Sequence, residues 1–116
     1  MRITDAATIS AVQQLSRYEI KGLRRRAKYG DESASFSLGM AYELGHSVPQ
    51  SCVEAARWVT TAAEAGNSAA QYNLGLRYRD GDGVPPNRGE SEKWLRKAAA
   101  QRNQQAKLAL RILASR

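Results

Sequence analysis

Apolar, aromatic and glycine positions recur along this chain with a fixed period. The stretch over residues 70–99 aligns with the stretch over residues 34–63 when it is shifted by 36 residues. The matching positions are Ala34/Ala70, Leu38/Leu74, Gly39/Gly75, Tyr42/Tyr78, Gly45/Gly81, Val48/Val84, Pro49/Pro85, Glu54/Glu90, Trp58/Trp94, Ala62/Ala98 and Ala63/Ala99. A fixed period of this size indicates an array in which each copy is one supersecondary unit.

Each copy contains start and stop signals for two helices joined by a loop. The first helix follows Gly30-Asp31 or Gly66-Asn67, where the glycine can end one helix and the next side chain can cap another. The second helix follows Ser51-x-x-Glu54 or Asn87-x-x-Glu90, which is the spacing of a capping box. Glycine and proline lie between the two helices, so the pattern predicts an antiparallel helix pair.

A glycine lies in the middle of the first helix of each copy. Gly39 and Gly75 each cost about 0.5 to 1 kcal/mol relative to alanine at a helix interior. Because both copies accept this loss of helix stability, we expect the glycine to provide a compensating packing contact in both. We expect the partner helix to approach closely at these glycines, with Trp58 or Trp94 packing across the pair.

This combination of residues resembles the Sel1-like repeat, a relative of the tetratricopeptide repeat. The second copy matches the family pattern at Ala70, Leu74, Gly75, Tyr78, Gly81, Gly83, Val84, Trp94, Lys97, Ala98 and Ala99. The first copy departs from it at Ser47, where a second loop glycine is usual, and at Thr61, where a lysine is usual. The resemblance implies an all-α fold, a right-handed solenoid of antiparallel helix pairs with about six helices, and a role as an interaction scaffold or adaptor.

The period divides a single domain into four segments. We assign residues 1–29 to an N-terminal capping helix, 30–66 to repeat 1, 67–102 to repeat 2 and 103–116 to a C-terminal capping helix. The first segment has an approximate helical stripe of apolar residues at Ile9, Val12, Leu15, Ile20, Leu23 and Ala27. In the last segment Arg102 and Arg111 replace the helix-ending and packing glycines, which we expect where no further second helix approaches.

Length and composition limit the classes of function. The 116 residues leave no room for a catalytic domain beside the array. No run approaches the roughly 18 apolar residues of a membrane span, and the N-terminal segment lacks the apolar core of a secretory signal. Cys52 is the only cysteine, so an internal disulfide is impossible. These features predict a cytoplasmic protein without membrane insertion, and they leave an unconventional export route open.

Candidate catalytic and metal-binding residues are few. His46 is the only histidine and lies in a glycine-rich loop. The stretch Asp80-Gly81-Asp82-Gly83 lacks the ligand alternation and closing glutamate of a calcium loop, so we interpret it as a turn. The sequence also lacks a phosphate-binding glycine loop and paired-cysteine metal spacing. It therefore predicts no catalytic residues, no cofactor and no metal.

The first helices of successive units line the concave side of helix-pair solenoids. On this family resemblance, the partner-binding positions are Phe36, Met40, Glu43, Tyr72, Leu76, Arg79, Leu108 and Ile112. We expect an apolar strip with charged edges, which would hold a peptide or protein segment in the groove. The same spacing also suits packing of these side chains between adjacent helices, and the sequence leaves both interpretations open.

The net charge of +7 motivates a second hypothesis, binding of nucleic acid or another anionic surface. The candidate anion patch consists of Lys21, Arg24, Arg25, Arg26 and Lys28. These residues are distributed around the helix. They also suit a solvent-exposed helix, in which the helix dipole favours basic residues near the C-terminal end. Exposed aromatic residues that would stack on bases are not interleaved with them. The charge also favours an acidic protein partner.

Overall fold

The computed structural model describes residues 17–115, and within that range it contains six α-helices and no strands. The helices are α1 (Arg17–Lys28), α2 (Glu32–Leu44), α3 (Cys52–Glu64), α4 (Ser68–Asp80), α5 (Arg88–Ala100) and α6 (Gln104–Ala114). Helices α2 and α3 form one pair and α4 and α5 the next, with α1 before them and α6 after them. This arrangement confirms the predicted all-α array, which measures 44 × 23 × 23 Å.

Side-chain caps fix where the helices begin. The side chains of Asp31, Ser51, Asn67 and Asn87 each accept a hydrogen bond from the backbone N–H three residues later, at 2.8 to 3.1 Å. Asn103 caps α6 in the same way at 2.9 Å. Each cap satisfies a backbone donor that has no partner inside its helix. These local signals explain why helix starts could be predicted from the sequence.

The two helices of each pair approach most closely at the repeated glycine. A Cβ placed on Gly39 would lie 2.7 Å from Val59 Cγ2 and 3.2 Å from the carbonyl oxygen of Ala55. A Cβ on Gly75 would lie 2.7 Å from Leu95 Cγ. Close approach is therefore confirmed in both pairs. The residues that fill the space are Val59 and Leu95, one position after the tryptophans that we had expected there.

The tryptophans pack elsewhere in the same core. Trp94 is buried in a cluster that also contains Leu38, Ala62 and Leu74, so it joins the second helix pair to the first. Trp58 is half-buried and packs against the same cluster. The residue that faces each glycine is the one after the tryptophan, because consecutive residues of a helix point about 100° apart.

Helix α4 is shared by two buried clusters. Leu74 on α4 belongs to the cluster with the first pair, whereas Tyr72 and Leu76 belong to a second cluster that includes Ala106 and Leu113 of α6. Residues 70–77 are all buried as a result. The stacking of successive units thus covers the faces that a single helix pair leaves open.

Polar side chains also join successive units. The side-chain amide of Gln101 donates to the carbonyl oxygen of Gly66 and to Gln71 Oε1, both at 2.9 Å. Gln71 in turn donates to the carbonyl oxygen of Ala63 at 3.1 Å. Because Gln71 is buried, these bonds satisfy polar groups that would otherwise destabilise the interface.

At two positions that lack the usual glycine, the backbone still has the left-handed conformation that glycine commonly adopts. Ser47 has a φ of 63° and Arg102 a φ of 66°, both in the left-handed region. The departures of this chain from the repeat pattern therefore change the side chain but not the turn. Gly83 is less replaceable, because a Cβ there would collide with the carbonyl oxygen of Cys52.

The first part of the predicted N-terminal helix, including Ile9, Val12 and Leu15, lies outside the described residues. Within α1, Ile20, Leu23 and Ala27 are buried against the first repeat, as the apolar stripe predicts. No helix in the described range 17–115 is long and apolar enough to cross a membrane.

We predict opposite effects for two glycine substitutions. Gly75→Ala should lower the free energy of unfolding by about 1 to 3 kcal/mol, because the new methyl overpacks the contact with Leu95. Gly22→Ala should raise it by about 0.5 to 1 kcal/mol, because Gly22 is helical and a Cβ there meets no atom within 4 Å. Urea unfolding followed by circular dichroism measures both. Equal or greater stability for Gly75→Ala would refute the close contact.

Candidate interaction surfaces

Three members of the predicted apolar strip are core residues. Met40, Tyr72 and Leu76 are only 2%, 6% and 1% exposed. Each lies on a first helix and packs toward its neighbours in the stack. The prediction that these three line an open groove is therefore corrected, and the alternative of packing between adjacent helices holds for them.

The environment of Tyr72 agrees with a core role. Burial raises the pKa of its phenol above the usual 10.0, because a phenolate would lose hydration there, while the nearby Arg79 acts in the opposite direction. Tyr72 is therefore neutral at physiological pH. Phe36, its counterpart in repeat 1, is half-buried and packs against the first cluster.

Glu43 is the counterion of a buried arginine. Its carboxylate lies 3.1 Å from Nη2 of Arg77, whose side chain has no exposed surface. Arg77 also donates from Nε to Asn73 Oδ1 at 2.8 Å and lies 3.6 Å from the carboxylate of Asp82. This cluster of Glu43, Asn73, Arg77 and Asp82, which we call the Arg77 cluster, joins α2 to α4 and to the loop after α4. Glu43 thus supports the junction between units, whereas the sequence analysis placed it at a groove edge.

Burial lowers the pKa of Arg77 from its usual value to about 10, and Cys52 opposes part of that effect. Arg77 therefore remains charged at neutral pH and requires its carboxylate partners. Arg77 is not among the site residues predicted from the sequence. One signal was available: the equivalent position in repeat 1 is Ala41, so an arginine had replaced a small core residue.

The Arg77 cluster also bears on metal binding. Potential ligand atoms of Glu43, Cys52 and Asp82 lie within 4.8 Å of one another. The guanidinium of Arg77 contacts both carboxylates, so a cation already neutralises them. A metal ion at this point would face a fixed positive charge, and the arrangement fits an internal ion-pair cluster better than a metal site.

Arg79 lies beside the same loop and is partly exposed. Its Nε donates to Asp80 Oδ1 at 2.8 Å and its Nη2 to Asp80 Oδ2 at 3.0 Å. This bidentate pair raises the pKa of Arg79, with burial acting against it. Arg79 is thus an accessible charged residue that is held in place by its neighbour.

The last helix has an apolar surface open to solvent. Leu108 and Ile112 are 56% and 46% exposed and lie one helical turn apart on α6. Lys107 and Arg111, which are also exposed, form a parallel row beside them. We call these four residues the end face.

Helix α1 has a basic surface. Lys21, Arg24, Arg25 and Lys28 are exposed and lie within about 100° of one another around the helix. We call these four residues the basic face. The basic residues therefore do not all lie on one face, as expected, although these four share one side. Arg26 lies outside that side, and its Nε lies 3.6 Å from Asp31.

Two contacts modify the basic face. Arg24 donates to the hydroxyl of Tyr42 at 2.6 Å and lies over its ring, so Arg24 also ties α1 to α2. Tyr29, directly after the helix, is 79% exposed. The expectation that no exposed aromatic residue accompanies the basic residues is therefore wrong.

Comparisons with known proteins agree with this architecture. The family model described as Sel1 repeat matches residues 33–67 and 68–103. A crystal structure of a Sel1 repeat protein from Oxalobacter formigenes is 40% identical, with a TM-score of 0.81 over 84% of this chain. A crystal structure of c5321, a protective antigen of uropathogenic Escherichia coli strains with an SLR fold, is 30% identical, with a TM-score of 0.74 over 78% of this chain.

This chain spans only 28% and 19% of the lengths of those two proteins. The search of curated proteins gives no match. The similarity therefore concerns the repeat and its fold.

We predict that Glu43 stabilises the fold through Arg77. Glu43→Ala should lower the free energy of unfolding by about 3 kcal/mol, because it removes a carboxylate from a buried guanidinium. Adding Arg77→Met should recover most of that loss, since the buried charge is then gone. Urea unfolding of the single and double variants measures both effects.

Arg57→Ala serves as the control, because it breaks the exposed ion pair with Glu54 and should cost less than about 1 kcal/mol. If Glu43→Ala costs no more than this control, or if Arg77→Met makes the loss larger, then the ion pair does not have the role assigned to it.

Proposed function

The chain belongs to the Sel1 repeat family, and on that basis we propose that it is a non-catalytic protein-interaction module. Sel1 repeat proteins generally mediate protein–protein interaction. The finer proposal concerns where a partner binds. Of the strip predicted from the sequence, Phe36, Glu43, Arg79, Leu108 and Ile112 keep accessible surface. Glu43 is engaged by Arg77, and we assign partner contact to the other four.

The observation that supports this proposal most directly is the exposure of Leu108 and Ile112. Two large aliphatic side chains on adjacent helical turns form a contiguous apolar surface, and such surfaces mark interaction sites more often than isolated apolar residues do. Charged and polar residues surround them, as at the rim of a protein interface. The buried residues of the strip hold α4 and α6 in position beneath this surface.

The chemistry of the described residues supports a binding role. In the Arg77 cluster each charge has an opposite charge beside it. Removing one member of such a pair would leave an uncompensated buried charge, so the paired charges favour one arrangement at the junction between units. The proposal therefore assigns the chain no reaction and assigns recognition to its surfaces.

A capture experiment tests the proposed function. Immobilised protein is incubated with lysate of the native organism, and the bound proteins are identified by mass spectrometry. The double variant Leu108→Asp/Ile112→Asp should lose specific bound proteins that the unaltered protein retains. Val53→Asp should retain them, because Val53 is an exposed apolar residue on α3, outside the strip.

Circular dichroism should show that all three proteins are folded, because the substituted residues are exposed. If no protein is retained specifically by the unaltered chain, the proposed function fails. If bound proteins are lost equally from Val53→Asp, the assignment to Leu108 and Ile112 fails.

We also propose a second candidate function, binding of a single-stranded nucleic acid by the basic face. Its support is the grouping of four basic residues on one side of α1 with the exposed ring of Tyr29 beside them. Basic residues neutralise phosphates, and an exposed aromatic ring can stack on a base. Protein interaction remains the first proposal because it follows from the family.

Fluorescence anisotropy with a labelled single-stranded oligonucleotide tests this candidate. Four phosphate contacts should give a slope of about −3 for log K against log salt concentration. Lys21→Glu/Lys28→Glu should abolish binding, and Tyr29→Ala should weaken it about tenfold. Lys93→Glu/Arg96→Glu, which alters two exposed basic residues on α5, is the control for net charge. Absence of binding at low salt would exclude this function.

A further inference from the structure

The end face has a counterpart inside the molecule. Leu108 and Ile112 occupy the repeat positions of Tyr72 and Leu76, 36 residues earlier. On α4 those positions are buried in a cluster with Ala106, Ala109 and Leu113 of the neighbouring helix α6. On α4 the equivalent surface is therefore covered by a helix with alanine at positions i and i+3 and leucine at position i+7.

Two other residues make the end face unlike its counterpart. Arg111 occupies the position of Gly75, where the second helix approaches so closely that a Cβ would lie 2.7 Å from Leu95. An arginine at that position excludes a second helix at the same distance. Lys107 occupies the position of the buried Gln71, so a second positive charge replaces a neutral amide.

Because of these two differences between repeat positions, the surface that packs inside the array on α4 has a basic edge on α6. From residue 93 to the end of the sequence there are seven basic residues and no acidic residue. A partner that covers Leu108 and Ile112 would bring its flanking side chains against Lys107 and Arg111. Carboxylates at those flanking positions would form complementary pairs, whereas basic side chains would be repelled.

Repulsion between like charges disfavours a second copy of this chain as the partner. At the other end of the described array, α1 presents the basic face, with Lys21, Arg25 and Lys28 exposed. Two copies stacked end to end would bring this basic surface against Lys107 and Arg111. Two copies joined through their end faces would likewise place equal charges together.

From these observations we infer that the end face binds an amphipathic helix of a partner protein, with small and aliphatic residues in the contact and acidic residues along its flank. The inference rests on the proposed interaction function and specifies the site and the chemistry of the partner. Leu108 and Ile112 supply the apolar contact, and Lys107 and Arg111 select the acidic flank.

A pair of designed peptides tests this inference with the full chain. The first is a labelled helical peptide of about 16 residues with alanine, alanine and leucine at i, i+3 and i+7 and glutamates on the flank that would face Lys107 and Arg111. The second has lysines in place of those glutamates. Fluorescence anisotropy should show binding of the acidic peptide and no binding of the basic peptide at the same concentration.

Variants of the end face should separate the apolar contribution from the charge contribution. Ile112→Asp should weaken binding of the acidic peptide at least about tenfold. Lys107→Glu/Arg111→Glu should weaken binding of the acidic peptide and should allow the basic peptide to bind. Val53→Asp should leave the affinity unchanged. All these positions are exposed, and circular dichroism verifies that each variant is folded.

Several results would overturn the inference. Equal affinity for both peptides would show that the charges do not select the partner. Failure of the acidic peptide to bind, or binding that Ile112→Asp leaves unchanged, would show that the end face is not the site. A dimer of the unaltered protein that Ile112→Asp dissociates in light-scattering measurements would assign the face to a second copy of the chain.

The lysate experiment separates this failure from failure of the proposed function. If the double variant Leu108→Asp/Ile112→Asp still loses specific bound proteins while the acidic peptide does not bind, the protein is an interaction module and the stated partner chemistry is wrong.

Discussion

At Gly39 and Gly75 the first helix of each pair lies so close to the second that a Cβ would stand 2.7 Å from Val59 or from Leu95. This contact sets the spacing within both pairs, and the stacking of one pair on the next follows from it. The helix-propensity cost of each glycine is about 1 kcal/mol, which the packing of a buried aliphatic side chain can outweigh. The tryptophans contribute to the same core from neighbouring positions, with Trp94 joining the second pair to the first.

A second interaction of a different kind joins the units. Arg77 is fully buried between the two repeats, and its partners come from α2, α4 and the loop that follows α4. A buried ion pair has little net value compared with apolar packing, but removal of one partner leaves an uncompensated charge. The cluster therefore favours one relative arrangement of α2 and α4. Because the accessible strip residues lie on the first helices, this arrangement also determines where they stand relative to one another.

The function proposed for this chain follows from what the stacking leaves uncovered. Helix α4 is buried over residues 70–77, so the centre of the expected groove is filled by the protein itself. The exposed ends differ in chemistry: α1 presents basic residues with Tyr29 beside them, and α6 presents Leu108 and Ile112 beside Lys107 and Arg111. The accessible apolar and basic surfaces of the described residues therefore lie on α6 and α1, and the proposed contacts are assigned to them.

The sequence by itself determined the elements and their pairing. Helix starts depend on local caps such as Asp31 and Asn67, and the pairing depends on a repeat whose signals lie within one copy, so short-range chemistry was enough to predict them. It did not determine which face of each first helix stays exposed. The phases of Tyr72 and Leu108 are identical, yet one is covered by α6 and the other is open, because no helix of the described array lies beyond α6. The partner of Arg77 and the residue that meets each glycine were likewise decided only in the tertiary structure, since both depend on contacts between residues far apart in the chain.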